Sequence, residues 1–157
     1  MRIVSLLGLI LGTFFSSNLG LPAGPPDPSA VEKAVHAKIN AYRLENGLDR
    51  LRWDERLAEQ ARSHSRRMAR REVPFGHSGF RERVRATGVK FSASAENVGE
   101  NQGYDDPVAQ AVEGWLNSKG HRENIEGRYN LTGVGVARTR DGTFYFTQIF
   151  MLTRPSE

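Results

Sequence analysis

His77, Glu96 and His121 are the residues of this sequence whose types could do chemistry together. Each is expected in a loop or at an element's end, in glycine-rich surroundings. Two imidazoles and one carboxylate are the ligand set of a catalytic-type zinc site, with a fourth position left for water. Spacing alone argues this thinly, because any protein with four histidines offers such triples. Other chemistries fall away. The absence of cysteine excludes disulfides, thiolate metal sites and thiol catalysis. Gly76-His77-Ser78-Gly79 begins like a nucleophile elbow, but Phe80 stands where that motif requires glycine. His121-Arg122-Glu123 has the H-x-E spacing of zinc deaminases, whose paired cysteines are missing. There is neither an H-E-x-x-H motif nor a phosphate loop. Asn130-Leu131-Thr132 is a glycosylation sequon best read as chance.

The elements that must position these residues follow from periodicity. Ser29 with Glu32 reads as a capping box, and Val31, Val35, Ile39 and Tyr42 then form one helical stripe ended by Asn46-Gly47. Asp54 caps a second helix with Leu57, Ala61, Ser65 and Met68 inside and Ala58 and His64 at the margin. Arg62, Arg66, Arg67, Arg70 and Arg71 take its other side. His64 and His36 read as packed, hydrogen-bonded residues rather than ligands. Turn formers fill Pro74–Phe80, a short helix spans Phe80–Ala86, and Ser92–Gly99 is short and extended. Asp106-Pro107 opens a helix with Val108, Val112 and Trp115 on one face, stopped by Gly120, so that His121 sits just past its end.

Leu131–Arg138 and Thr143–Met151 are strands joined by a turn at Asp141-Gly142. The second strand is largely apolar on both faces, so the sheet must be covered on both sides. Gly133 and Gly135 leave one face of the first strand bare for close approach by another element. Gln148, the polar member of the Phe144, Phe146 and Phe150 face, needs a partner, either in a polar pocket or as a buried structural amide. The predicted fold is α+β: a three-layer α-β-α sandwich with a small, mainly antiparallel central sheet.

With 157 residues, one domain is expected. Arg2, an apolar run to Phe15 and the small residues after it read as an export signal over residues 1–20. The run is short for a stable membrane span, which needs about 20 apolar residues. A retained anchor is the alternative, since no clean A-x-A site appears, and no cysteine follows to carry a lipid. Residues 21–28, with four prolines, read as a linker, and 29–157 as the folded domain. The net charge of +4 favours anionic surroundings. Nine basic residues from Arg62 to Lys90 face only Glu72 and Glu82, a solvated face or an attraction to an anionic envelope polymer.

Five segments in order carry a resemblance. Phe75-Gly76-His77-Ser78, Ala95-Glu96-Asn97-Val98, the run from Ala111 through Trp115 to Gly120-His121-Arg122-x-Asn124-Ile125, Gly133–Ala137 and Phe146–Phe150 together resemble the CAP superfamily. This is the SCP domain of cysteine-rich secretory proteins, antigen 5 and pathogenesis-related proteins, and the cysteine-free variant looks like its bacterial secreted branch. The resemblance covers about Ser29 to Leu152. It implies an α-β-α sandwich, an extracellular setting and a central cavity lined by two histidines and two glutamates, which binds a divalent metal in some members. Carried over by motif, these are His77, Glu96 and His121. The second glutamate falls three residues after the tryptophan, where this chain has Ser118, a poor metal ligand. Neither Glu113 nor Glu100 can be assigned to its place.

A family defined by fold leaves function open. One reading is a secreted, cell-envelope-associated binding module for lipid or envelope polymer. A second is a divalent-metal-dependent hydrolase, zinc being the example, with His77 and His121 holding the ion and Glu96 as third ligand or general base. A third makes the triad structural, both histidines bonding Glu96 to tie loops to the sheet. Nucleic acid is disfavoured, because no aromatics interleave with the arginines.

Overall fold

The computed structural model describes Gly24 and residues 26–153. The expected export signal, residues 1–20, and half of the expected linker, residues 21–23 and 25, lie outside the described residues. Helix α1 (Pro28–Glu45) starts one residue before the expected boundary. Asp27 is its N-cap and Pro28 its first residue, so the expected Ser29–Glu32 capping box does not form. Glu32 turns inward instead, because it has better partners there. Its Oε1 accepts from the Val136 backbone N–H at 3.1 Å, and both its oxygens accept from Arg62 Nε at 2.9–3.0 Å.

Four strands form one sheet in the order β1-β3-β4-β2. Strand β1 (Arg52–Trp53) runs parallel to β3 (Leu131–Arg138), while β4 (Phe144–Leu152) pairs antiparallel with both β3 and β2 (Ala93–Asn101). The sheet is mainly antiparallel, as expected. Strand β1 is new: two residues are too few for an alternating pattern to register.

Both faces of the sheet are covered. Helices α1, α4 (Pro107–Asn117) and α5 (Lys119–Glu126) cover the face carrying Phe144, Phe146 and Phe150, where Val35, Ile39, Trp115 and Ile125 complete one core. Helices α2 (Glu55–Ala69) and α3 (Phe80–Ala86) cover the face carrying Ile149 and Met151, with Leu57, Ala61 and Val84. The two glycines explain how α2 sits so low. A Cβ on Gly133 would stand 2.2 Å from the Ala58 backbone nitrogen, and one on Gly135 only 1.9 Å from that of Arg62. Backbone meets backbone there, and no side chain larger than hydrogen fits between them.

Gln148 is fully buried and donates to Thr132 Oγ1 at 3.1 Å, within the packed sheet face. It is a buried amide bonded through Nε2 alone, its Oε1 having no hydrogen-bond partner among the described residues.

Helix α4 does not end at Gly120. It ends at Asn117, the chain turns through an extended Ser118 (φ −96°, ψ 121°), and α5 begins at Lys119. Gly120 lies inside α5 and takes no left-handed conformation, so it is no stop signal. His121 is therefore a helix residue, correcting its expected place beyond a helix end.

Candidate functional site

The site is built at the β2 edge of the sheet, where the loop after α2, helix α3, strand β2 and helix α5 meet. Strand alternation sends the Glu96 side chain to the α2–α3 side and that of Asn97 to the α4–α5 side. Glu96 is almost wholly enclosed, its side chain 2% exposed. A buried carboxylate needs charge and hydrogen bonds around it. Arg83 on α3, itself only 6% exposed, supplies both: Nε donates to Oε2 and Nη2 to Oε1, each at 2.9 Å. This is the side-on, two-pronged geometry at which guanidinium and carboxylate match.

His77 reaches the same carboxylate from the loop, its Nδ1 at 3.0 Å from Glu96 Oε1. That oxygen already accepts from Arg83, so Nδ1 is the donor to it. The ring's other edge is open to solvent, the side chain being 54% exposed. Two further bonds fix the loop that carries it. Arg83 Nη1 donates to the Ser78 carbonyl at 3.1 Å, and His64 Nε2 lies 2.7 Å from the Gly76 carbonyl. Gly76 takes a φ of +132°, which a side chain would resist, just before His77. His64 is packed as expected. Burial, then the neighbouring Arg83 charge, outweigh the Gly76 bond and push its imidazole below the ordinary value. It is thus neutral, with Nε2–H donating to Gly76 and Nδ1 buried without a partner.

His121 comes from the other side of the β2 edge. Asn97 Nδ2 donates to the His121 carbonyl at 3.0 Å, and Asn124 Nδ2 donates to Asn97 Oδ1 at 2.9 Å. Ile125 is buried in the core, and Arg122 donates to the Leu116 carbonyl at the end of α4. In the run Gly-His-Arg-x-Asn-Ile, the arginine and asparagine by hydrogen bonds and the isoleucine by burial therefore fasten α5, while the histidine side chain makes no hydrogen bond among the described residues. Its Nδ1 is buried and unpartnered. Burial first, and then the charge of nearby His77, push its imidazole below the ordinary value.

The structure thus brings His77 directly onto Glu96 and places His121 within electrostatic reach of His77. No hydrogen bond joins His121 to Glu96. Ser118 is half-buried at the α4–α5 junction, its carbonyl accepting from the Arg122 backbone N–H. Glu113 and Glu100 are exposed, and Glu100 faces Tyr145. Among the described residues no three histidine or carboxylate side chains gather as a metal-holding group. The donor set as built does not fit a resident divalent cation, because Arg83 already covers both oxygens of Glu96 with a positive charge. Arg83 is the residue that sequence reasoning missed. It was counted in the basic stretch, and only its position one turn into a helix packed beside the site would have marked it.

The layered sandwich, with the Glu96 carboxylate on β2 held by Arg83 and His77, has the fold of a CAP domain. The family model for the cysteine-rich secretory protein family, CAP, matches residues 36–150, and the chain belongs to this family. It is 36% identical over 126 residues to YlbC of Bacillus subtilis, described as an uncharacterized membrane protein; the match covers 76% of this chain and 34% of YlbC. Among solved structures it is similar to an extracellular SCP-domain protein of Bacillus anthracis, with TM-score 0.67, 29% identity, and 83% and 45% of the two chains covered. The fold is also that of an outer surface protein of Borrelia burgdorferi, with TM-score 0.71, 19% identity, and 82% and 97% covered. The chain spans less than half the length of either Bacillus protein. Among the described residues no helix is long and apolar enough to cross a membrane.

Proposed function

We propose that this CAP domain works outside the cytoplasm as a binding module of the cell envelope. The observation that carries the reading is the closure of Glu96 by Arg83. The one buried carboxylate of the His/Glu cluster is neutralised from within the fold. It fastens the loop carrying His77 and helix α3 to the sheet, which is work a scaffold needs. The extracellular relative, the basic surface and the export signal read from the sequence point the same way. Retention on isolated envelopes tests this: His77→Ala and His121→Ala are expected to be retained like the native chain. Loss of retention in either variant, with its fold intact, contradicts it.

A second reading, a hydrolase acting at the same cluster, rests on a different observation. Glu96 holds His77 through Nδ1 and leaves its Nε2 edge facing solvent, the arrangement of an oriented general base. Equilibrium dialysis with zinc decides whether a divalent ion takes part. Binding at micromolar zinc that disappears in His121→Ala favours the metal-dependent form; no binding in either chain removes it.

A further inference from the structure

A second polar region lies away from the His/Glu cluster, where the N-terminus of α1, the outer side of α2 and the end of β3 enclose an open cleft of about 770 Å³. Five arginines line it: Arg62, Arg66 and Arg70 from one wall, Arg138 and Arg140 from the other. The carboxylates that line it are Asp27 and Glu32. Glu32 is consumed by Arg62 and by the Val136 N–H. Arg66, Arg138 and Arg140 make no ion pair among the described residues, and Arg70 has only a loose contact with Glu72 at 3.7 Å. Arg138 is braced instead by the Phe144 ring, 5.5 Å below its guanidinium. Arg62, Arg66 and Arg70 stand four residues apart, so they form one row with steps of about 6 Å along the helix.

We infer that this cleft is a binding site for a linear phosphate-bearing polymer, an inference that names the ligand chemistry of the envelope-binding reading and rests on it. Guanidinium groups take phosphate oxygens two at a time. Arg62 is held by Glu32 and Glu55 and fixes one end of the row, while Arg66 and Arg70 on one wall and Arg138 and Arg140 across the groove present several guanidiniums, which suits repeated phosphates better than a single small anion. The cleft is concave, and its apolar lining is small: Pro28, Ala69, Val136 and Ala137. Among the described residues the large exposed hydrophobics, Leu44, Phe75, Phe91 and Tyr104, all lie outside it. A membrane surface would call for a convex face with such anchors beside the charge. The polymer is therefore the occupant favoured here.

The test measures binding of the whole chain to linear polyphosphate, with inorganic phosphate and phosphatidylglycerol vesicles as the other arms. The site variant is Arg66→Glu/Arg138→Glu/Arg140→Glu. The control, Arg81→Glu/Arg85→Glu/Arg128→Glu, makes the same charge change on arginines outside the cleft. Native chain is expected to bind polyphosphate, and to lose roughly tenfold or more of that affinity when salt rises fourfold. The site variant is expected to lose at least about tenfold in affinity and the control about twofold or less. Thermal melts of all three chains establish that they are folded. Equal losses in site and control variants overturn the site, leaving only net charge. Vesicles bound more tightly than polyphosphate, or inorganic phosphate competing as well as the polymer per phosphate, overturn the polymer. Native chain that is not retained on envelopes, yet binds polyphosphate through these arginines, sinks the envelope reading and keeps the cleft. Retention on envelopes with no polyphosphate binding does the reverse.

Discussion

Two arginine–carboxylate pairs brace this fold, one at each region with functional promise, and they differ in a single respect. At the β2 edge both Glu96 and Arg83 are buried. Beside the cleft Glu32 is equally buried, but its partner Arg62 is 25% exposed and also meets Glu55 at the surface. The first pair is closed on itself and fixes a loop. The second anchors one end of an arginine row whose other members, Arg66 unpaired among the described residues and Arg70 only loosely touching Glu72, can meet an anion. The same chemistry thus makes a fastener in one place and the wall of a site in the other, and solvent access decides which.

That contrast can be broken by mutation. The largest effect is expected from Gly135→Val. Its Cβ would fall on the backbone of α2, and α2 would have to lift, taking Arg62, Arg66 and the packing beside His64 with it. A loss of about 3 kcal/mol or more in urea unfolding is expected, or no folded protein. Arg83→Met comes next. It removes one partner of a buried ion pair, a change that costs about 3–5 kcal/mol, and most of the loss should return in Arg83→Met/Glu96→Leu, where neither partner remains. If Arg83→Met alone costs less than Arg62→Met, the distinction between the pairs fails. Arg62→Met is expected to cost about 1–3 kcal/mol, because Glu32 keeps its Val136 bond and the open cleft lets water replace the guanidinium.

The smallest effect separates the regions by pH. The imidazoles of His64 and His121 are both held below their ordinary value, so the folded chain takes up these protons later than the unfolded chain does. Below the ordinary value of 6.5 the unfolded state binds more protons, and stability falls as pH falls. His64→Gln, which keeps a donor for the Gly76 carbonyl, should flatten this decline without moving polyphosphate affinity. An unchanged pH slope would remove His64 from the account.

Much of this architecture could be read from sequence, and the failures share a cause. Gly133 and Gly135 pointed to a close approach because an absent side chain has one steric meaning in a strand. The two apolar faces of β4 required two covering layers, and both exist. The resemblance put His77 beside Glu96, and the two meet at 3.0 Å. What it could not show was Arg83, since a charge in sequence carries no sign of burial. Arg83 and Arg62 were grouped with solvated neighbours, although each meets a buried carboxylate. Glu32 failed in the mirror sense. A capping-box spacing was present at Ser29, but Asp27-Pro28 is the same start signal that was recognised at Asp106-Pro107, and the inward face claimed the glutamate. Gly120 misled because glycine stops a helix only where it takes a left-handed turn.

Envelope retention, compared side by side for His77→Ala/His121→Ala and for Arg66→Glu/Arg138→Glu/Arg140→Glu, tests the central claim most directly. If the cluster is a fastener and the cleft is the site, the histidine variant stays bound and the arginine variant washes off. The opposite pattern, with both chains folded, would place the function at the histidines and contradict the account.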